Sequence, residues 1–222
     1  MSKVIVLGAS GTLGLHVVAQ ALSAGHDVTA VARTPSKLPR TVAERVRVVQ
    51  ADIVKLTQED LADVINGHNA LINTAGHVTE GEGFVQVVAQ AIAAVSLLEG
   101  AQRPRCWFLG GAAALDIQDT EVRAAQLPFV KKTYWPHLAN WAALKASELE
   151  WNLLCPGPLV EQEPLGLVRM RIGYERMPVA FPGYARYLPR TLLVPLFAVR
   201  VPQLIISYAD AASIMLADLG KG

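Results

Sequence analysis

The stretch Lys3-Val4-Ile5-Val6-Leu7-Gly8-Ala9-Ser10-Gly11-Thr12-Leu13-Gly14 decides the fold of this 222-residue chain. Lys3–Leu7 is a short β-branched run with no apolar/polar alternation, the pattern of a parallel strand covered on both faces, and it stops at a glycine. Behind it, Leu13, Val17, Val18, Ala21 and Leu22 recur at helical spacing over residues 12–24, and Gly25 supplies the stop. A strand that turns at once into a helix is the opening unit of an alternating fold.

The alternation continues outward from this unit. Further strands are predicted at residues 28–32, 45–50, 70–73, 106–109 and 151–155, with helices at 57–65, 84–98, 138–149 and 207–219. Thr57 with Asp60, and Ser207 with Asp210, have the spacing of capping boxes. Strands that alternate with helices require right-handed crossovers. The fold class is therefore α/β, a doubly wound parallel sheet of the Rossmann kind. No linker divides the first 160 residues. The reading is one domain over residues 1–222, with the Pro-rich residues 158–206 as a substrate-side appendage.

Composition narrows the partners. A net charge of +1 and no run of five or six Lys/Arg argue against nucleic acid. Cys106 and Cys155 lie in apolar runs, which fits a reducing compartment, and the start of the chain lacks the pattern of a secretory signal. A cytoplasmic protein is expected. Residues 192–199, the most apolar late segment, are interrupted by Pro195 and fall far short of the roughly 20 residues needed to cross a bilayer, so no membrane is expected. No metal-ligating spacing is present.

The glycines follow the pattern G-x-x-G-x-x-G between strand and helix, where they have a mechanical meaning. Gly8 permits the sharp turn, Gly11 lets the backbone approach a pyrophosphate, and Gly14 lets the helix pack on the sheet. The free N–H groups of the first turn, Leu13 included, carry partial positive charge, and Ser10 and Thr12 add hydroxyl donors. A P-loop lysine is missing, so the ligand is read as a dinucleotide. The second strand ends in Ala32-Arg33-Thr34, without the acid that NAD binders place there, and Lys37 and Arg40 are near. Arg33 suits a 2′-phosphate, which favours NADP (as NADPH); the plainer alternative is a solvated arginine at a strand end. Asp52 and Ile53 close the third strand, where the carboxylate either accepts from adenine or caps a loop. Thr74, Ala75 and Gly76 leave room for the adenosine ribose, and Gly110 after the fifth strand completes the cofactor set.

Together, residues 8–14, Ala32-Arg33-Thr34-Pro35-Ser36-Lys37-Leu38, Ala51-Asp52-Ile53 and Asn73-Thr74-Ala75-Gly76 resemble an atypical short-chain dehydrogenase/reductase. The likeness extends through Ala146-Ser147-Glu148-Leu149-Glu150-Trp151, Cys155-Pro156-Gly157-Pro158 and Ile206-Ser207-Tyr208-Ala209-Asp210, and so covers nearly the whole chain. In this order the motifs are similar to those of small NAD(P)H-binding proteins related to flavin/biliverdin reductases and to NmrA-like redox sensors. The resemblance implies a reductase or a dinucleotide-binding regulator.

Ordinary members of that superfamily use a Tyr-x-x-x-Lys pair to exchange a proton with a carbonyl substrate. Here Tyr134 is followed by His137 and Leu138, Lys145 follows Trp141, and the usual serine is replaced by Gly110-Gly111-Ala112. Flavin/biliverdin reductase relatives do without the pair, so hydride transfer to a small aromatic or conjugated acceptor remains the leading expectation. The candidate catalytic residues are Tyr134, His137 and His77, with capping or packing roles as the alternatives. Trp135 and Trp141 are candidates to wall an acceptor pocket. From Arg176 to Ala209 there are four arginines, five prolines and no acid, a segment suited to wrapping the sheet edge, forming a lid, contacting an anionic substrate or making a homodimer surface. Two functions follow: an NADPH-dependent oxidoreductase reducing a flavin or quinone, or a non-catalytic NADP(H)-binding redox sensor or scaffold.

Overall fold

The computed structural model describes residues 1–117, 120–217 and 219. In chain order the elements are β1 (Lys3–Leu7), α1 (Thr12–Ser23), β2 (Asp27–Ala32), α2 (Arg40–Ala43), β3 (Arg47–Gln50), α3 (Gln58–Ile65), β4 (Ala70–Asn73), α4 (Glu82–Ser96) and β5 (Arg105–Leu109). There follow β6 (Asp116–Ile117), β7 (Val122–Arg123), α5 (Val130–Ala146), β8 (Trp151–Leu154), β9 (Leu159–Val160), α6 (Arg190–Ala198), β10 (Ile206–Ser207) and α7 (Tyr208–Leu216). The main sheet is parallel throughout, in the order β3-β2-β1-β4-β5-β8.

The chain winds from β1 outward to β3, then returns to place β4 on the other side of β1. Direction of winding reverses between β1 and β4, and open α/β sheets bind ligands outside the carboxyl ends of the strands at such a point. Leu7 pairs with Val31 on one side and Asn73 on the other, so Gly8, Ala32 and Thr74 emerge at one edge.

The non-alternating sequence of β1 is explained by burial on both faces. Ile5 and Leu7 pack with Leu61, Ile65, Phe84, Val88 and Leu144 against α3, α4 and α5. Val4 and Val6 pack with Leu13, Val17, Val18, Ala211 and Met215 against α1 and α7. Each such aliphatic side chain contributes roughly 1.5–3 kcal/mol by leaving water. Thr57 accepts from the Asp60 N–H at 3.0 Å and Ser207 from the Asp210 N–H at 2.9 Å, so both capping residues sit where their spacing placed them.

Two expectations need correction. The helix predicted at 138–149 runs from Val130 to Ala146, with Pro136 in its interior. It begins after Phe129, which has a positive φ of 68°, and Pro136, His137, Asn140 and Leu144 are buried, so packing overrides the proline. The last helix starts at Tyr208 with Ser207 as its cap and ends at Leu216; of its expected end, residue 218 lies outside the described residues. A third apolar cluster joins Ala112, Ile117, Ala124 and Leu127 to Met177, Val179, Leu193 and Leu204, so residues 158–206 are held against the segment after β5.

Candidate functional site

The turn after β1 is fixed by backbone bonds. The N–H groups of Gly8 and Ala9 both donate to the Val31 carbonyl at 3.1 Å, and that of Gly11 donates to the Gly8 carbonyl at 2.9 Å. Gly8 has φ +79°, and a Cβ there would lie 2.7 Å from the Ala75 backbone. A Cβ on Gly14 would lie 2.3 Å from the Gly8 carbonyl oxygen, so α1 rests directly on the turn. Gly11 differs: its Cβ would meet only that same oxygen, at 3.3 Å. The Thr74 hydroxyl lies 2.9 Å from the Leu7 carbonyl oxygen and 3.3 Å from that of Gly8, and ties β4 to the turn.

No side chain caps α1, and its first turn holds no acid. The N–H groups of a first helical turn have no intrahelical acceptors and carry the positive end of the helix dipole. They border a cavity of about 1090 Å³, lined here by Gly8, Ser10, Gly11, Thr12 and Leu13. Gly14, also counted among the expected cofactor residues, lies outside the lining and packs against the turn.

Along the cavity come Arg33 and Lys37, then Asp52 and Ile53, then Thr74, Ala75 and Gly76. Arg33 and Lys37 are exposed, and neither side chain makes an ion pair or hydrogen bond among the described residues. Asp52 caps the loop after β3: its carboxylate accepts from the Val54 N–H at 3.4 Å and lies 3.8 Å from Lys55, and the residue also lines the cavity.

Beyond Gly110 the cavity reaches Tyr134, His137 and His77. His77 is exposed and caps a short turn, its Nδ1 lying 2.7 Å from the Thr79 hydroxyl while its own N–H donates to Glu80 at 2.9 Å. His137 is only 7% exposed, with its ring edge-on to Phe84 at 5.7 Å and stacked on Tyr134 at 6.1 Å. Burial, with a smaller contribution from His77, lowers its pKa to about 4, so its imidazole is neutral at ordinary pH. Among the described residues its Nδ1 has no hydrogen-bond partner, and a Cβ on Gly111 would lie 2.5 Å from its Nε2. Phe84 in turn leaves no room for a side chain on Gly76, where a Cβ would stand 2.4 Å from its ring.

Several expectations about this end are corrected. Neither Trp135 nor Trp141 lines the cavity; Trp141 lies under the Arg123 guanidinium at 3.8 Å. Among the described residues that line it, none is Arg176, Arg186, Arg190 or Arg200. The wall instead comes from Val130, Pro156, Leu159, Phe197, Leu204 and Tyr208, none of which the sequence reading named as a site residue, although three of them fall in the segment 158–206. The Pro156-Gly157-Pro158 signal pointed near it: a Cβ on Gly157 would lie 2.3 Å from the Leu204 carbonyl oxygen, so this turn presses on the later segment. Burial raises the thiols of Cys106 and Cys155 to about 12, which keeps both protonated. Among the described residues no group of three or more His, Cys, Asp or Glu could hold a metal.

A family model described as NAD(P)H-binding matches residues 8–178. The chain belongs to this NAD(P)H-binding family. Its membership assigns a nicotinamide dinucleotide as the cofactor class, and the uncapped helix end with the Cβ-free approach at Gly11 fits the diphosphate of one. The chain is 29% identical over 160 residues to the uncharacterized protein YwnB of Bacillus subtilis (strain 168), covering 69% of this chain and 71% of that one. A solved structure of a provisionally named epimerase from Bacteroides thetaiotaomicron superposes with a TM-score of 0.73 at 24% identity, over 98% of this chain and 90% of that one. A provisionally named NADH-flavin reductase from Streptococcus pneumoniae gives 0.70 at 22% identity, over 100% and 94%. An anaerobilin reductase from Escherichia coli O157:H7 gives 0.66 at 15%, over 99% and 91%. At these identities the solved structures share the fold.

Proposed function

We propose that this family member is an NADPH-dependent oxidoreductase that passes hydride to a flat conjugated acceptor such as a flavin or quinone. The observation that carries the reading is one cavity running from an uncapped helix end, past two unpaired cations, to an apolar compartment. When bound, the nicotinamide supplies the hydride chemistry. The chain's part is to hold and orient. Backbone N–H groups at Thr12 and Leu13, with the Ser10 and Thr12 hydroxyls, receive the diphosphate, and Gly11 leaves the approach open. Arg33 and Lys37 take the 2′-phosphate, Asp52 and Ile53 the adenine, and Thr74, Ala75 and Gly76 the adenosine ribose, with Gly110 at the start of the acceptor end. Val130, Leu159, Phe197 and Leu204 exclude water from the acceptor face. Neutral His137 offers a hydrogen bond there without placing a charge beside the ring. Reductases of flavin and anaerobilin among the structural neighbours support this choice of acceptor. The test is to mix purified protein with NADPH and a panel of flavins, quinones and bilins and follow loss of the reduced nicotinamide. Binding of NADPH with no acceptor reduced would refute it.

The missing Tyr-x-x-x-Lys pair favours a second reading, a non-catalytic sensor of the NADP⁺/NADPH ratio. A ligand shifts a population only through differential affinity, so equal Kd values for the two redox forms would eliminate this reading.

A further inference from the structure

Helix α6 is apolar on two faces. Inward, Leu193 enters the third cluster with Val194, Leu196 and Phe197 packed beside it. Outward, Thr191, Leu192, Pro195, Ala198 and the following Val199 are exposed, Leu192 at 53% and Val199 at 59%. Positions 192, 195 and 199 fall on one helical stripe. A surface helix normally turns a polar face to water, and one that is apolar all round is covered by something.

Its surroundings are cationic and aromatic. Arg190 begins the helix and Arg200 follows it, with the Arg200 Nε–H donating to the Ala180 carbonyl at 3.0 Å. Tyr184 and Tyr187 belong to the 3₁₀ turn Gly183–Tyr187 just before it, and residues three apart eclipse in such a turn. Both rings are exposed, and the Arg186 guanidinium stands 4.7 Å from the Tyr187 ring. Residues 176–209 contain no acid.

We propose that this face docks on an anionic bilayer surface. Apolar side chains flanked by tyrosines and arginines match the layered chemistry of acyl chain, interface and acidic headgroup. Nine helical residues span about 13 Å, so α6 lies in the interface and does not cross it. The five prolines shorten the helix without abolishing it. A second copy fits less well, because a two-fold interface meets itself and would set arginines against arginines with no acid in the segment to pair them. The inference does not rest on the reductase reading.

The test is co-sedimentation of the full chain with vesicles. Binding is expected to mixed phosphatidylglycerol/phosphatidylcholine vesicles at low ionic strength, and not to phosphatidylcholine alone. Added salt should weaken it, and Arg190→Gln should lower the partition coefficient about fivefold. The exposed pair Leu192→Glu and Val199→Glu should abolish it while leaving NADPH affinity and melting temperature unchanged. Failure to bind anionic vesicles overturns the proposal. So does a concentration-dependent dimer that the Leu192→Glu/Val199→Glu variant disperses, since the face then belongs to another copy of the chain.

Discussion

Arg33→Ala tests the proposal that Arg33 chooses between the two nicotinamide nucleotides by holding a 2′-phosphate. Arg33 is exposed and has no side-chain partner among the described residues, so its loss leaves nothing buried unpaired and stability should stay within about 0.5 kcal/mol. The effect falls on the ligand. A charged hydrogen bond is worth about 1.5–3 kcal/mol, which corresponds to about 10- to 150-fold in Kd. Lys37 borders the same part of the cavity and retains some of the attraction, so the single variant should fall in the lower half of that range and Arg33→Ala/Lys37→Ala in the upper half. NADH lacks the 2′-phosphate and should lose about threefold or less. Calorimetric titration of wild type and both variants with NADPH and NADH at fixed salt reads this directly. Equal losses for the two nucleotides would refute the assignment, because a contact to the shared adenosine or diphosphate cannot discriminate between them.

The loop glycines should separate cleanly. Gly11→Val is expected to remove binding of both nucleotides while costing about 1 kcal/mol of stability, because its Cβ meets only one oxygen at 3.3 Å. Gly14→Val drives a Cβ to 2.3 Å from a backbone carbonyl and should cost about 3 kcal/mol or more, a fall in Tm of roughly 2–4 °C per kcal/mol. His137 has a folded pKa of about 4 against 6.5 unfolded, so its contribution is intact above 6.5 and is lost as pH falls toward 4, in total on the order of 3 kcal/mol. Denaturant midpoints measured across that window should flatten in His137→Phe. Asp210 acts at lower pH. Burial pushes its carboxyl up, but the Leu165 and Gly166 N–H groups and the Ser207 hydroxyl outweigh this and hold it below 3.8. Its stabilisation is present above that value and is lost on further acidification, and Asp210→Asn should lower stability by about 2–3 kcal/mol at neutral pH and remove the acid step.

How much of this was legible in sequence follows from the range of the interactions involved. The strand-turn-helix at residues 3–23 is local: β-branched burial, a positive-φ glycine and a helical stripe each leave a signal within a few residues. The same holds for the caps at Thr57 and Ser207. The acceptor end is not local. Val130, Leu159, Phe197 and Leu204 are brought together by the third cluster, and β6 and β7, which help to build it, are two residues long and too short to show a period. The helix expected at 138–149 starts earlier, at Val130, because the hydrogen bond that an interior proline forfeits is offset by burial at Pro136, which local pattern cannot see.

The polar inventory of that end limits the chemistry it can support. A ketone receiving hydride becomes a localised alkoxide and needs a proton delivered at that oxygen, which is the task of a tyrosine beside a lysine. Among the described residues the lysines that line the cavity are Lys37, four residues after Arg33, and Lys55, 3.8 Å from Asp52, while Lys145 stands 5.0 Å over the Trp141 ring. Tyr134 has His137 stacked on it, and burial holds that imidazole neutral. Among the described residues, no lysine joins Tyr134 in lining this end of the cavity. A flavin or quinone spreads the arriving charge over its ring system and can take its proton from water at the open rim, so an apolar wall and a neutral hydrogen-bonding ring suffice. The residues that replace the usual pair therefore favour the proposed flavin or quinone acceptor over a ketone.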